Sequence, residues 1–310
     1  MNTNLHKAKK AKNDEFYTRY EDIEKELAHY SKHFRDKIVY CNCDNPEHSN
    51  FWKYFVDNFE VLGLKKLIAT YYKKNMVTYK SEYFGENMPV IKTELLCDGD
   101  FRSQECIDIL KESDIIVTNP PFSLFREYVA QLMEYEKKFV ILGNMNAVTY
   151  KEIFPLIKEN KLWAGFGFNK TVEFIMPDDY ELKGKAYIDD EGKKHGFVPA
   201  IAWYTNLDIN KQYKELKLTK NYTPEEYPKY DNYDAIYIKK TNDIPYDYNG
   251  IMGVPISWLN YYNKLQFEII DAREYALHDK QKNKSTMLVK DADSTINGKA
   301  TYAHILIKRK

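Results

Sequence analysis

The tetrapeptide Asn119-Pro120-Pro121-Phe122 combines residue types that could activate an amine on an aromatic ring. An amine such as N6 of adenine is a poor nucleophile because its lone pair is delocalised into the ring. Two acceptors aimed at its hydrogens, the Asn119 side-chain oxygen and the Pro120 carbonyl, would favour a pyramidal nitrogen able to attack a sulfonium methyl group. The prolines restrict the backbone and carry no N–H to compete for these acceptors. Phe122 would offer a flat face to the base, which must leave a duplex to reach such a pocket.

The residues around the tetrapeptide predict where it lies. The apolar run 114–118 predicts a buried strand that leads directly into it. Ser123 is a suitable N-cap for a following helix, whose apolar positions are spaced i, i+3, i+4 and i+7: Phe125, Tyr128, Val129 and Leu132. Ligands of open parallel sheets bind at the carboxyl ends of the strands, which is where the tetrapeptide falls. The alternative is a surface turn, in which Asn-Pro is common.

The first two hundred residues alternate between short apolar runs and amphipathic segments, and so predict an α/β fold. Strands are predicted at 37–41, 64–70, 92–97, 114–118 and 139–142, with helices between most of them. Runs that are apolar throughout favour a mostly parallel sheet covered by helices on both faces. Regularity fades after Asn206, so we place a domain boundary there, giving 1–206 and 207–310. In the second part a helix is predicted at 267–275 and a final strand at 302–307.

Composition excludes several classes of protein. The 310 residues are 44% hydrophobic and 30% charged, with 46 basic and 46 acidic side chains. No apolar run reaches the ~18 residues of a membrane span, and the N-terminus lacks the apolar centre of a secretion signal, so a cytoplasmic protein without membrane contact is expected. The four cysteines show no paired spacing, so we expect reduced thiols and no metal site: Cys41, Cys43, Cys97 and Cys106.

Seven stretches resemble a known family: DEFYT at 14–18, VYCNCDNPEHSNF at 39–51, LGLKKLIAT at 62–70, CDGDFRS at 97–103, VTNPPFSLF at 117–125, KYDNYDAI at 229–236 and GVPISWL at 253–259. On these the chain resembles the EcoRI-type adenine-specific DNA methyltransferases nearly end to end. The resemblance implies a Rossmann-like sheet that binds S-adenosylmethionine (AdoMet), with a smaller C-terminal recognition lobe. It implies a monomer acting on double-stranded DNA, and it allows a GAATTC-like target site and a cognate restriction endonuclease acting on that site.

The resemblance also assigns cofactor-binding residues. DEFYT looks like the element that closes over the methionine part of AdoMet, with Tyr17 and Thr18 as its contacts. Asp100-Phe101 is similar to a pair in which the carboxylate accepts the adenine amine of AdoMet and the ring packs on the base. An ordinary tight turn at Asp98-Gly99-Asp100 is the alternative.

The loop after the first predicted strand departs from the usual G-x-G pattern of AdoMet enzymes. It reads Cys43-Asp44-Asn45-Pro46, in which Asp44 could hold the α-ammonium group and the helix start near Ser49 could receive the carboxylate. An Asx-type turn is the alternative reading. The second predicted strand ends without an acidic residue, so the usual ligand of the AdoMet ribose is missing.

Target recognition is assigned to 207–300, with 73–89 as an accessory segment, because both are rich in lysine, tyrosine and asparagine. The catalytic tetrapeptide also occurs in enzymes that methylate RNA bases or a glutamine amide of a protein, so these substrates remain open. A DNA-binding protein that keeps the methyltransferase fold without its chemistry is the alternative from another class.

Overall fold

The computed structural model describes residues 17–74, 76–86, 88–176, 182, 184–231, 233–272, 295–301 and 304–310. The chain divides into two compact units, Met1–Asn144 with Gly165–Leu207, and Met145–Ala164 with Asp208–Lys310. A catalytic role for 1–206 and a recognition role for 207–310 stay predictions. None of the described helices is long and apolar enough to cross a bilayer.

The large sheet has ten strands: β1 (Tyr17–Thr18), β2 (Ile38–Cys41), β3 (Lys66–Ala69), β4 (Tyr79–Tyr83), β5 (Ile91–Glu94), β6 (Ile115–Thr118), β7 (Lys138–Asn144), β8 (Trp163–Met176), β9 (Tyr187–Ile188) and β10 (Lys194–Thr205). Their order is β1-β8-β10-β7-β6-β2-β3-β4-β5, with β9 beside β10. The chain passes from β2 to β3 on one side and returns to β6 on the other. The boundary between β2 and β6 is therefore a topological switch point, where open α/β sheets bind ligands.

The centre of this sheet is parallel. Strands β7, β6, β2 and β3 run parallel to one another, and their apolar residues other than Ile38 are buried. Strand β10 is antiparallel to β7, β4 to β3, and β5 to β4. The α/β prediction is confirmed, but the expected mostly parallel sheet is a mixed one.

The sequence pattern predicted one of the two strands beyond β3. The strand predicted at 92–97 is present as β5, which covers Ile91–Glu94 at the edge of the sheet with all four residues exposed. The strand before it, β4, lies within the accessory segment 73–89 and has no apolar run to reveal it. The described residues between β3 and β4 form no helix, and β4 pairs antiparallel with β3.

Five helices accompany the sheet: α1 (Tyr20–Leu27), α2 (Asn50–Asp57), α3 (Phe59–Leu62), α4 (Gln104–Glu112) and α5 (Phe125–Glu134). The Ser49 hydroxyl caps α2 by accepting from the Phe51 and Trp52 amides at 3.1 and 3.3 Å. The predicted cap at Ser123 is wrong. A 3₁₀ turn over Phe122–Leu124 precedes α5, so Leu124 occupies the N-cap position.

The second unit contains α6 (Phe154–Lys158) and strands β11 (Ile236–Tyr237), β12 (Met252–Pro255), β13 (Phe267–Ala272), β14 (Thr295–Ile296), β15 (Lys299–Ala300) and β16 (His304–Arg309). Four of them form a sheet in the order β11-β12-β16-β13. The helix predicted at 267–275 is therefore wrong over its described part, and 273–275 lie outside the described residues. Phe267 and Ile269 are buried while Glu268 is exposed, a period of two that fits a strand. The final strand predicted at 302–307 is confirmed from 304 onward as β16, and 302–303 lie outside the described residues.

Candidate active site

The tetrapeptide Asn119-Pro120-Pro121-Phe122 lies at the carboxyl end of a fully buried strand. Strand β6 ends at Thr118, and Asn119 follows directly. Pro120 is buried, whereas Asn119, Pro121 and Phe122 are half-buried. The Leu124 amide donates to the Pro121 carbonyl at 2.9 Å, which closes the turn into α5. The predicted strand-then-loop arrangement is present, and it leaves the Asn119 side chain at the wall of a cleft.

This first cleft, of about 270 Å³, brings together residues that are far apart in the sequence. Five predicted site residues line it: Tyr17, Thr18, Asp44, Ser49 and Asn119. They come from the first strand, from the loop after β2, from the start of α2 and from the loop after β6. The carboxyl ends of β2, β3 and β6 meet at one edge of a sheet, and the cleft lies at that edge.

Asp44 connects two of these elements. Its carboxylate is buried and accepts hydrogen bonds from the Ser49 hydroxyl, at 2.7 Å, and from the Thr118 hydroxyl. Burial raises the pKa of Asp44 to about 6, and the two hydroxyl donors oppose that rise. The carboxylate thereby joins the cap of α2 to the residue before Asn119. The sequence pattern missed Thr118, although a hydroxyl at the end of a buried strand requires a polar partner.

The strand β1 forms another wall of the first cleft. It pairs with β8, with Tyr17 opposite Ile175 and Thr18 opposite Phe174. The Asn50 side-chain amide donates to the Thr18 carbonyl at 2.8 Å and so ties β1 to the start of α2. The Thr18 hydroxyl is buried and has no hydrogen-bond partner within the described residues, so a polar ligand in the cleft could supply one. Residues 14–16 of the DEFYT motif lie outside the described residues.

A second, smaller cleft of about 140 Å³ shares Cys43 and Tyr72 with the first. Asp100, Phe101 and Pro121 line it. Phe101 is buried and meets the Tyr128 ring edge to face at 5.1 Å between centroids. The Tyr128 hydroxyl donates to the side-chain oxygen of Asn42, another wall residue. This second cleft therefore offers flat aromatic side chains beside a polar rim.

Asp100 has a partner that the sequence pattern did not predict. Arg102 donates to its two carboxylate oxygens at 2.8 and 2.6 Å. Its turn depends on Gly99, which has a φ of +78°, and a Cβ there would lie 1.9 Å from the Tyr71 carbonyl oxygen. The chain around Asp100 is therefore held closely against the segment that follows β3.

That segment follows β3, where the sequence has no acidic residue. Tyr71, Tyr72 and Lys73 line the first cleft, and Tyr72 also lines the second. The sequence shows their residue types, but only the fold shows that they lie in the wall of this cleft. In the part of the chain that the structure describes, no group of three or more His, Cys, Asp or Glu side chains is placed to hold a metal ion.

A parallel-centred α/β sheet with Asn-Pro-Pro-Phe at its carboxyl edge, beside a polar cleft, is the arrangement of an α/β amino-methyltransferase. The family model described as "Adenine-specific methyltransferase EcoRI" matches residues 4–310. The chain belongs to this family of adenine-specific methyltransferases.

Relatives of similar length support the assignment. The chain is 52% identical to the Type II methyltransferase M.EcoRI of Escherichia coli, an alignment that covers 99% of this chain and 96% of that protein. It is 41% identical to the Type II methyltransferase M.MpnI of Mycoplasma pneumoniae, covering 99% of this chain and 98% of that protein. No solved structure matches the chain significantly.

Proposed function

We propose that this adenine-specific methyltransferase modifies N6 of an adenine that has been flipped out of double-stranded DNA, with Asn119 and Pro120 as the acceptors that activate the amine. The observation that carries the proposal is the position of Asn119, at the carboxyl end of β6 and in the wall of the first cleft. Acceptors held there by two prolines orient the amine hydrogens and leave its lone pair free. Phe122 is half-buried in the same loop and would pack against the base.

The clefts fit AdoMet in their chemistry. The first has the unpartnered Thr18 hydroxyl and the Asp44 carboxylate, which suit the charged amino-acid end of AdoMet. The second has Phe101 and Asp100, which suit a flat base with an exocyclic amine. Bound AdoMet would supply an electrophilic methyl group, with the electron pair of the broken S–C bond left on its sulfur. The N6 amine forms the new bond and releases one proton to solvent.

The roles of the cofactor residues follow from this fit. Asp44 retains unused lone pairs after accepting from Ser49 and Thr118, so its carboxylate could also hold an ammonium group. Ser49 acts chiefly as the cap of α2, because its hydroxyl already accepts from the Phe51 amide and donates to the Asp44 carboxylate. Tyr17 and Thr18 close the cleft from β1. Asp100 would accept from the cofactor base while Arg102 holds its orientation.

The target site, the residues that recognise it and the partners of the enzyme are also proposed. We assign target recognition to 207–300, with 73–89 as an accessory, and a GAATTC-like site to the enzyme. The enzyme is proposed to act as a monomer in the cytoplasm, beside a restriction endonuclease with the same target. Methylation of RNA or of a protein glutamine would be the result if the amine acceptors served another substrate.

Labelled AdoMet offered with duplex DNA, RNA and protein in separate reactions tests the substrate. We expect label in DNA alone, at N6 of adenine, and modified-base sequencing of DNA from expressing cells would then give the target site. Label found only in RNA or protein would exclude the DNA substrate.

The variant Asn119→Ala tests the mechanism. It should abolish methylation and leave DNA binding largely intact, since the side chain acts on the amine and not on phosphates. Turnover equal to the wild type would refute the role of Asn119.

A further inference from the structure

Three large apolar side chains are exposed at one end of the β4–β5 pair. Leu96 is fully exposed, at 100%, while Met76 and Val77 are 55% and 52% exposed. Met76 and Val77 precede β4, and Leu96 follows β5. Single exposed apolar residues are common, but three gathered at one edge indicate a surface that meets a partner.

The strand directions place these side chains at the edge of the sheet where the first cleft lies. Because β4 is antiparallel to β3 and β5 is antiparallel to β4, β5 ends at the same edge as β3. The register sets Tyr79 opposite Glu94, and the Leu95 amide donates to the Thr78 carbonyl at 2.9 Å. Val77 and Leu96 directly adjoin the two residues joined by this hydrogen bond, so both lie at the same end of the pair.

The backbone under Leu96 is held firmly although its side chain contacts solvent. The Glu105 carboxylate accepts from the Leu96 amide at 2.9 Å and from the Cys97 amide at 3.3 Å. The Thr78 hydroxyl donates to the Cys97 carbonyl at 3.2 Å. An apolar side chain is presented to water here by a rigid support, not by a loose loop.

Basic side chains and the first cleft adjoin this edge. Lys73 lines the cleft, and its amide donates to the Asp98 carbonyl at 3.0 Å, so the segments on either side of the apolar side chains are in contact. Lys73 and Lys74 are both exposed. Lysines suit DNA phosphates, and leucine and methionine suit the gap between separated base steps.

We propose that Leu96, supported by Val77 and Met76, is an apolar wedge that enters duplex DNA and fills the space left when the target adenine moves into the cleft. The inference rests on the proposed DNA substrate. Duplex DNA is the occupant that the adjoining lysines and cleft favour. A second copy of the chain, paired along the exposed edge strand β5, is the competing occupant.

Leu96→Ala tests the wedge, and Val61→Ala is its matched control. Val61 is 81% exposed and lies in α3, which leads into the start of β3 at the opposite edge of the sheet. We expect Leu96→Ala to slow single-turnover methylation of a paired duplex about tenfold or more. Without the leucine side chain, nothing fills the space between the base pairs that the flipped adenine leaves. A duplex with a mispaired target adenine should restore the rate to near the wild-type value, because that base is easier to flip. Val61→Ala should match the wild type on both.

Fluorescence of 2-aminopurine at the target position reports the flipped base, and it should rise less with Leu96→Ala than with the wild type or Val61→Ala. Equal rates and fluorescence for the two variants would overturn the wedge. A defect that the mispaired duplex does not relieve would overturn it as well. If the wild type is a dimer in solution and Leu96→Ala is a monomer, the surface binds a second copy of the chain and not DNA. Failure of the wild type to methylate any DNA would instead refute the proposed function.

Discussion

The variant Asp44→Asn should stabilise the protein without bound AdoMet at neutral pH and weaken its binding of AdoMet. Asp44 is 7% exposed, and its pKa rises from 3.8 to about 6 because burial disfavours the carboxylate more than the Thr118 and Ser49 hydroxyls favour it. A rise of about two units corresponds to roughly 3 kcal/mol of free energy. The charged form is therefore costly to the fold, and a bound ammonium group would offset that cost.

The direction of the pH effect follows from proton binding. Between pH 3.8 and about 6 the folded protein holds a proton on Asp44 that the unfolded chain has released, so the free energy of unfolding falls as pH rises. The contribution of Asp44 is fully favourable below 3.8 and is lost above 6. Burial also raises the pKa of the neighbouring Cys41 and Tyr128, so neither side chain titrates in this range.

Asparagine does not titrate, so its advantage over aspartate should grow with pH. We expect the difference in free energy of unfolding between the variant and the wild type to increase by about 2 kcal/mol from about pH 4.5 to about pH 7.5. Urea denaturation followed by circular dichroism measures it, and calorimetry at neutral pH measures AdoMet affinity. Thr118→Ser, which keeps the hydroxyl donor but loses a buried methyl group, is the control. It should lower the free energy of unfolding by an amount that does not change with pH, and it should leave AdoMet affinity unchanged. A difference that is constant with pH would refute the burial argument, and unchanged AdoMet affinity would remove Asp44 from the cofactor site.

Three other substitutions test separate parts of the structure. Asp100→Ala should weaken AdoMet binding in calorimetry more than DNA binding in a gel-shift assay; equal AdoMet affinity would mean that another residue receives the cofactor base. Gly99→Ala should lower the melting temperature, because its φ of +78° and the Tyr71 carbonyl oxygen at 1.9 Å from the new Cβ leave no room for a methyl group; an unchanged melting temperature would contradict the close approach. Glu26→Ala should lower the free energy of unfolding by about 3 kcal/mol or more in urea denaturation, since the buried carboxylate accepts from the Tyr30 hydroxyl and from two backbone amides of β8. A decrease within ~0.5 kcal/mol would show that these hydrogen bonds are not needed for the fold.

Local patterns predicted the elements that carry the chemistry. A largely apolar run followed by Asn-Pro-Pro-Phe predicts a buried strand with a stiff loop at its end, and β6 and the half-buried Asn119 have this form. The Ser49 cap was readable too, because serine before an amphipathic run satisfies the first helix amides within the same short segment. Such features depend on residues close in sequence.

Local patterns failed where partners decide the structure. Strand β13 was predicted as a helix, but its pairing with β16, some forty residues later, buries Phe267 and Ile269 on one side. Strand β4, between β3 and the edge strand β5, has one buried residue among five and so leaves little hydrophobic signal. In both cases hydrogen bonds to another strand, and not intrinsic preference, select the conformation.

The amino-acid sequence by itself determined the family, the parallel centre of the sheet and the candidate catalytic loop, because strand burial, proline stiffness and motif identity are properties of contiguous residues. Tertiary structure alone decided which side chains meet. The Asp44 carboxylate accepts a hydrogen bond from the Thr118 hydroxyl, 74 positions away in the sequence. The exposed Leu96 lies at the edge of the sheet that holds the first cleft because β4 and β5 each pair antiparallel with the strand before them. No periodicity encodes such contacts, since they arise only when distant strands end at the same edge of one sheet.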